Sequence, residues 1–285
     1  MSDPVKIVTE TTYLYVIIDD ILKSLGHREH PGCECSDSEV ITTALCASLH
    51  FGSNRSDAIG FVQETGLMPE MVGTSRFSRR LHRVGELVAD MLLQLGHVFK
   101  ALSESMVYRI DSFPLACCQN IRIPRSRLFE QDRAAGRQYR GRNASKRQYF
   151  YGIKVFVMTD EANRPVEYCF TPGSWADIDG LRQMPLDLPP GSDVYLDSGF
   201  TDYGMEDDLK EAEDLDFFVA RRKNSKRPHH PSVDFLISHH RKPIETTFSE
   251  ITALFLKKIH AVTDRGFLLK VILTLFAHTL TKAFI

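Results

Sequence analysis

The chain has 285 residues, enough for one large domain or two smaller ones with a sizeable core. Its 43% hydrophobic and 25% charged content is that of an ordinary globular protein and excludes a disordered or fibrous chain. The formal net charge of −2 excludes a uniformly basic nucleic-acid binder, but the charge is unevenly spread. Residues 122–154 hold ten Lys or Arg against Glu130 and Asp132, and residues 221–242 hold seven against Asp234. Both blocks are candidate phosphate-binding surfaces, whereas residues 187–216 are acidic. Residues 1–6 lack the apolar core of a secretory signal, and six cysteines in that setting fit reduced thiols in a cytoplasmic protein.

Taken in chain order, the first hundred residues read as helical. Leu14, Ile18, Ile21 and Leu25 recur at helical spacing, and Gly26 is a natural stop. Ser36 and Glu39 have the Ser-x-x-Glu form of a capping box, which predicts a helix running to about Leu49. Gly66 ends the next helix. Phe77, Leu81, Val84, Val88, Met91, Leu95 and Val98 then form one regular apolar stripe, with Arg76, Arg79, Arg80 and Arg83 near its start. Those arginines are an exposed face or the basic side of a DNA-recognition helix. His27, His30, Cys33 and Cys35 are closely spaced, but Cys-x-Cys is tighter than a usual zinc pair and no second pair follows.

After Ser105 the pattern turns to strands: residues 106–111, 149–159, 166–171, 193–196 and 216–220. Residues 160–165 read as a hairpin turn containing Asp160, and residues 205–213 as a helix. Ile244, Phe248, Ile251 and Phe255 mark another helix, with Glu245 opening it. His229, His230, His239 and His240 read as loop histidines, and Cys117 and Cys118 as packing residues. Residues 266–285 are the most hydrophobic stretch, but Lys270, His278 and Lys282 interrupt it, so a buried helix is expected rather than a membrane span.

Three carboxylates occupy distinctive places in this order. Asp111 lies within or just after the first strand, Asp197 follows the fourth, and Glu245 opens a later helix preceded by Arg241 and Lys242. An isolated aspartate beside a strand is ordinarily a turn former or cap. The ordered combination has a chemical reason instead. Phosphodiester cleavage must activate an attacking oxygen and stabilise a leaving one, and two divalent metal ions held by carboxylates do both. Asp177 and Asp179, after a Gly-Ser-Trp loop, compete for the second position but lack a preceding apolar strand.

The runs CSDSEVITTAL, SRFSRRLHR, YRIDSFPL, YGIKVFVMTD, VYLDSGFTD and RKPIETTFSEI, followed by FLLKVILTLFAHTL, cover the chain from about Cys35 onward. In them the sequence resembles the bacterial insertion-sequence transposases of the DDE class, and within that class the insertion-sequence family numbered 982. The resemblance implies an α/β fold: a ribonuclease H-like catalytic domain over residues 105–285, with an all-helical DNA-binding region over residues 1–104. It implies Asp111, Asp197 and Glu245 as catalytic metal ligands and Mg²⁺ or Mn²⁺ as cofactor, in two ions. It further implies double-stranded DNA as substrate, at terminal inverted repeats and at the target, and a homodimer assembled on it in the bacterial cytoplasm. Arg241, Lys242, Arg79, Arg80 and Arg83 are the expected DNA contacts. One departure concerns the wider class, which often carries a Lys or Arg seven residues after the glutamate; here that residue is Thr252. The rival readings are a nuclease on the same fold that does not join ends, and a DNA-binding descendant without catalysis.

Overall fold

The computed structural model describes residues 3–30, 32–118, 120–129, 137–143, 147–255, 259 and 261–285. The chain forms two compact units. One comprises Met1–Leu92 with Glu250–Ile285, the other Leu93–Ser249. The C-terminal segment, expected to belong with the strands of residues 105–285, thus groups with the N-terminal helices instead.

The first unit contains α1 (Pro4–Ser24), α2 (Asp37–His50), α3 (Arg55–Glu64), α4 (Thr74–Arg83), the first half of α5 (Gly85–Leu102) and α9 (Asp264–Phe284). The capping box is present: Ser36 Oγ accepts from the Glu39 amide, and the Glu39 carboxylate accepts from the Ser36 amide. The stripe on α1 is Ile7, Thr11, Leu14, Ile18 and Leu22, while Leu25 lies beyond the helix and is exposed. α2 is buried continuously from Val40 to Ser48, and α9 nearly so from Val271 to Leu280 apart from Ile272. Helices apolar all round are core helices, and these two pack on each other. α9 is long and apolar enough to cross a membrane, yet most of its apolar window is buried inside the fold, so packing accounts for its composition. The expected single helix through residues 77–98 is two. α4 ends at Arg83 with Val84 as its cap, and α5 restarts at Gly85. A continuous apolar rhythm cannot reveal such a break, because the stripe resumes on the same buried side.

The second unit is built on a six-stranded sheet: β1 (Val107–Cys118), β2 (Arg140–Asn143), β3 (Gln148–Thr159), β4 (Pro165–Pro172), β5 (Asp193–Leu196) and β6 (Asp216–Val219). Its order is β2-β3-β1-β5-β6, with β4 also pairing β3. β3 pairs antiparallel with β1, β2 and β4, whereas β1, β5 and β6 run parallel to one another. The hairpin turn between β3 and β4 is locked by Asp160, which accepts from the Arg164 amide at 2.9 Å and pairs with its guanidinium at 2.6 Å. β2 carries Arg140 and Arg142 with no apolar alternation, which is why no strand is predicted there. Around the sheet lie α6 (Asp177–Leu181), α7 (Tyr203–Glu213), the second half of α5 and most of α8 (Pro231–Leu254).

Close approaches fix the second half of α5 to β4. A Cβ on Gly96 would stand 2.0 Å from the Val166 carbonyl oxygen, so only glycine allows this contact. Lys100 and Glu167, both almost fully buried, pair at 3.4 Å beside it.

Candidate active site

Strand pairing brings the first two acids together. β1 and β5 are parallel, with Ile110 opposite Leu196, so Asp111 and Asp197 follow side by side at the same end of the sheet. Asp111 still lies within β1, which runs on to Cys118. Asp197 leaves β5 as the cap of a short 3₁₀ turn, Ser198–Phe200. Each aspartate turns Oδ1 onto the amide of the next residue, Ser112 or Ser198, at 2.7 Å. This local bond fixes both carboxylates in one orientation.

A cation already bridges the pair. Arg241 reaches from α8 to within 3.3 Å of Asp197 Oδ1 and 4.0 Å of Asp111 Oδ2. Burial pushes the Asp111 carboxyl up to about 6; the Ser112 amide and Arg241 pull it down, and Asp197 and Asp177 push it further up. A carboxylate held in that state gains from any additional positive charge.

Asp177, at the start of α6, is the third acid beside Asp111. Its Oδ1 accepts from Ser112 Oγ at 2.9 Å and from Lys154 Nζ at 2.9 Å. Its Oδ2 packs so closely on Gly199 that a Cβ there would lie at 2.7 Å. The sequence ranks Asp177 as a competitor to Asp197; the structure sets both near Asp111, on different elements. Asp179 instead pairs with Arg182.

Glu245 does not open its helix. α8 begins at Pro231 and continues through Pro243, so Glu245 lies in its interior, exposed, one turn beyond Arg241. Its carboxylate has no hydrogen bond or ion pair among the described residues. His239 and His240, expected in a loop, belong to this helix too. The helix is hidden in the sequence because Pro243 removes one backbone donor inside it and the early turns leave Phe235 and Leu236 exposed, off any regular buried stripe.

α8 is anchored to the sheet by residues that sequence reasoning missed. Arg109, on β1 and 4% exposed, donates from Nε to the His240 carbonyl at 2.6 Å and from Nη1 to the Asp160 carbonyl at 2.7 Å. His240 stacks on Tyr195 at 4.3 Å, and Phe248 meets Phe113 at 4.9 Å. Arg109 was discernible only as a cation placed between Tyr108 and Ile110, inside an apolar strand.

The expected DNA contacts fare differently. Arg79, Arg83 and Lys242 are exposed. Arg80 is withdrawn from that role: it binds the Cys35 carbonyl and lies 2.5 Å from Asp37 and 3.5 Å from Glu29. Those two acids and His27 converge closely enough to hold a metal ion, but the Arg80 guanidinium already neutralises them. Cys33 is exposed and Cys35 is buried against Met71, and the described residues bring no His/Cys zinc set together here. In the second basic block, Arg221 and Arg227 pair with Glu206 and Asp207 and flank Tyr203, leaving Arg222, Lys223 and Lys226 exposed. Arg133 and Lys146 of the first block lie outside the described residues.

The second unit is therefore a mixed α/β domain whose parallel strands present clustered carboxylates at one end, with a helix crossing beside them. A protein-family profile described as transposase DDE domain matches residues 102–266. That span is more than half of the chain and includes Asp111, Asp197 and Glu245; the chain belongs to the transposase DDE domain family. No curated protein and no solved structure matches it.

Proposed function

We propose that this protein is a metal-dependent DNA transposase that cleaves at the terminal inverted repeats of its element and transfers the freed 3′ ends to target DNA. The observation that carries the reading is the juxtaposition of Asp111 and Asp197 across β1 and β5 with one cation, Arg241, between them. Hard carboxylate oxygens around a cation are what Mg²⁺ or Mn²⁺ requires, so the residues fit the metal. Asp111 and Asp197 would hold it, with Glu245 completing the set from α8. Bound there, two divalent ions would supply a Lewis acid and a lowered pKa for the attacking hydroxyl or water.

The remaining work falls to the chain itself. The Ser112 and Ser198 amides orient the two aspartates. Arg109 holds α8 with Arg241 turned to them, and Glu245, one helical turn on, would approach from the same face. Once the acids are neutralised otherwise, Arg241 is freed to meet a phosphate of the DNA, joined by exposed Lys242. Arg79 and Arg83 would hold the DNA backbone without reading sequence.

The strand order β4-β3-β1-β5-β6, with three antiparallel strands followed by two parallel ones, supports a ribonuclease H-like domain. The resemblance to the insertion-sequence family numbered 982 supports a bacterial cytoplasmic enzyme acting as a homodimer on paired ends. The test is to incubate purified protein with a labelled duplex ending in the terminal repeat, with Mg²⁺ or Mn²⁺, beside Asp197→Ala. Cleavage and joining that vanish in the variant support the reading. Cleavage without joining would make it a nuclease, and binding with neither would make it a non-catalytic DNA-binding descendant.

A further inference from the structure

The chain leaves the sheet at Val219, the last residue of β6, and a loop follows that is closed at its base by His229, whose Nε2 donates to the Val219 carbonyl at 2.9 Å. β6 runs parallel to β5 with Val219 opposite Leu196, so the loop leaves the same end of the sheet that carries Asp111 and Asp197. Neighbouring strands lie about 4.8 Å apart, which sets the base of the loop about 5 Å from the strand of Asp197 and about 10 Å from that of Asp111.

Residues 221–227 hold five cations and no acid. Two of the five fasten the loop to the start of α7. Arg221 forks onto the Glu206 carboxylate, and Arg227 meets both oxygens of Asp207 at 2.7 and 2.9 Å. Their guanidinium carbons stand 5.0 and 4.8 Å from the centre of the Tyr203 ring, and Ser225 Oγ lies 2.7 Å from the Tyr203 hydroxyl. A surface loop is ordinarily mobile; here ion pairs, ring contacts and a hydroxyl bond tie it to the helix that follows Asp197 in the chain.

The other three cations are left over. Arg222, Lys223 and Lys226 are exposed, and their side chains make no hydrogen bond or ion pair with any other described residue. Glu206 and Asp207 are taken up by Arg221 and Arg227. A fastened loop with three uncompensated charges beside an acidic site is complementary to a run of phosphates. We propose that residues 221–227 are a grip on DNA, in which Arg222, Lys223 and Lys226 hold backbone phosphates within about five nucleotides of the one being cleaved. DNA advances about 3.4 Å per nucleotide, so the distance from Asp111 is about three steps and the reach of the loop adds the rest. Contacts to phosphate position the duplex without reading its sequence. The grip rests on the transposase reading for its substrate, and adds to it the course of the DNA on the Asp197 side of the site.

The test titrates the full chain with a labelled terminal-repeat duplex across a salt series, using Arg222→Gln, Lys223→Gln and Lys226→Gln singly and combined. Lys210→Gln is the control, since it removes a cation of α7 that pairs with Asp214 and with Asp216 at the opposite end of β6. Each single variant should lower the slope of log affinity against log salt by about 1, the combined variant by about 3, and the control not at all. The loop variants should melt with wild type, because the three side chains are exposed and unpaired. Neutral methylphosphonate links within about five nucleotides of the cleaved end should weaken binding by wild type and leave the combined variant unaffected. A wild-type slope in the combined variant would overturn the grip. Equal losses from the neutral links in both proteins would overturn its placement beside the site. A lowered Tm with a slope no different from the control would make the loop structural and overturn it as well. Cleavage in Mg²⁺ is scored in the same samples: wild type that binds without cleaving sinks the transposase reading, and the salt slopes then decide the grip by themselves.

Discussion

Asp111→Asn keeps the shape of the side chain and removes a charge that the fold disfavours. The carboxyl is pushed from an ordinary value of 3.8 to about 6. Because the folded-state value lies above the unfolded one, the folded chain holds the extra proton between them, and stability falls as pH rises through that window. A shift of about 2 units corresponds to about 3 kcal/mol at neutral pH. The side chain is 20% exposed, and the variant also loses the attraction of Arg241, so a gain of about 1–3 kcal/mol is expected. At about 2–4 °C per kcal/mol, Asp111→Asn should melt several degrees above wild type at pH 8 in chelator. The gap should shrink toward pH 5, where wild type carries the proton. Adding Mn²⁺ should stabilise wild type and not the variant. The assay is thermal unfolding across pH 5–8. A variant less stable than wild type at pH 8, or a gap independent of pH, would refute the view of Asp111 as a desolvated acid awaiting a cation.

Three further outcomes are expected. Arg109→Met strands the His240 and Asp160 carbonyls and should cost about 2–4 kcal/mol in denaturant unfolding, while also raising amide exchange in α8. Gly96→Ala forces α5 off β4 and should cost at least about 2 kcal/mol by the same measurement; a neutral result would mean the helix shifts freely. Lys100→Met leaves Glu167 buried without its partner and should cost about 3–5 kcal/mol, whereas Lys100→Met combined with Glu167→Leu should recover most of the loss in a double-mutant cycle.

Elements with a strong local signal were legible from residue order. β5, β3 and β4 fall within a residue or two of expectation, because runs such as YFYGIKVFVMT alternate and are branched. The capping box at Ser36 marks the start of α2 by its own hydrogen bonds. Features decided by tertiary contact were not legible. The break at Val84 leaves the apolar stripe unchanged, and β2 is specified by pairing to β3 rather than by composition. α8 starts well before the apolar rhythm that begins at Ile244, because its early turns leave Phe235 and Leu236 exposed instead of burying a regular stripe.

The site shows the same division. Asp111 and Asp197 could be singled out because each directly follows a short apolar run in the sequence, although β1 continues past Asp111 to Cys118. That Arg241 bridges them depends on the angle of α8, which Arg109 and Tyr195 set from another part of the chain. Arg80 looked free on a basic helix, yet Glu29 and Asp37 claim it from far away in sequence. A cavity around Arg55 in the first unit left no local trace either, since its lining is gathered from residues as far apart in sequence as Ser53, His82 and Val262.

The central claim is that Asp111, Asp197 and Glu245 form one metal-dependent DNA-cleaving site. It is tested most directly by single-turnover cleavage of a terminal-repeat duplex in Mg²⁺ by Asp111→Asn, Asp197→Asn and Glu245→Gln, beside Asp179→Asn. Each of the first three should lose about a hundredfold or more in rate, in line with removal of a group that stabilises transition-state charge, and Asp179→Asn should keep its rate. Wild-type rates in any one of the three would contradict the account.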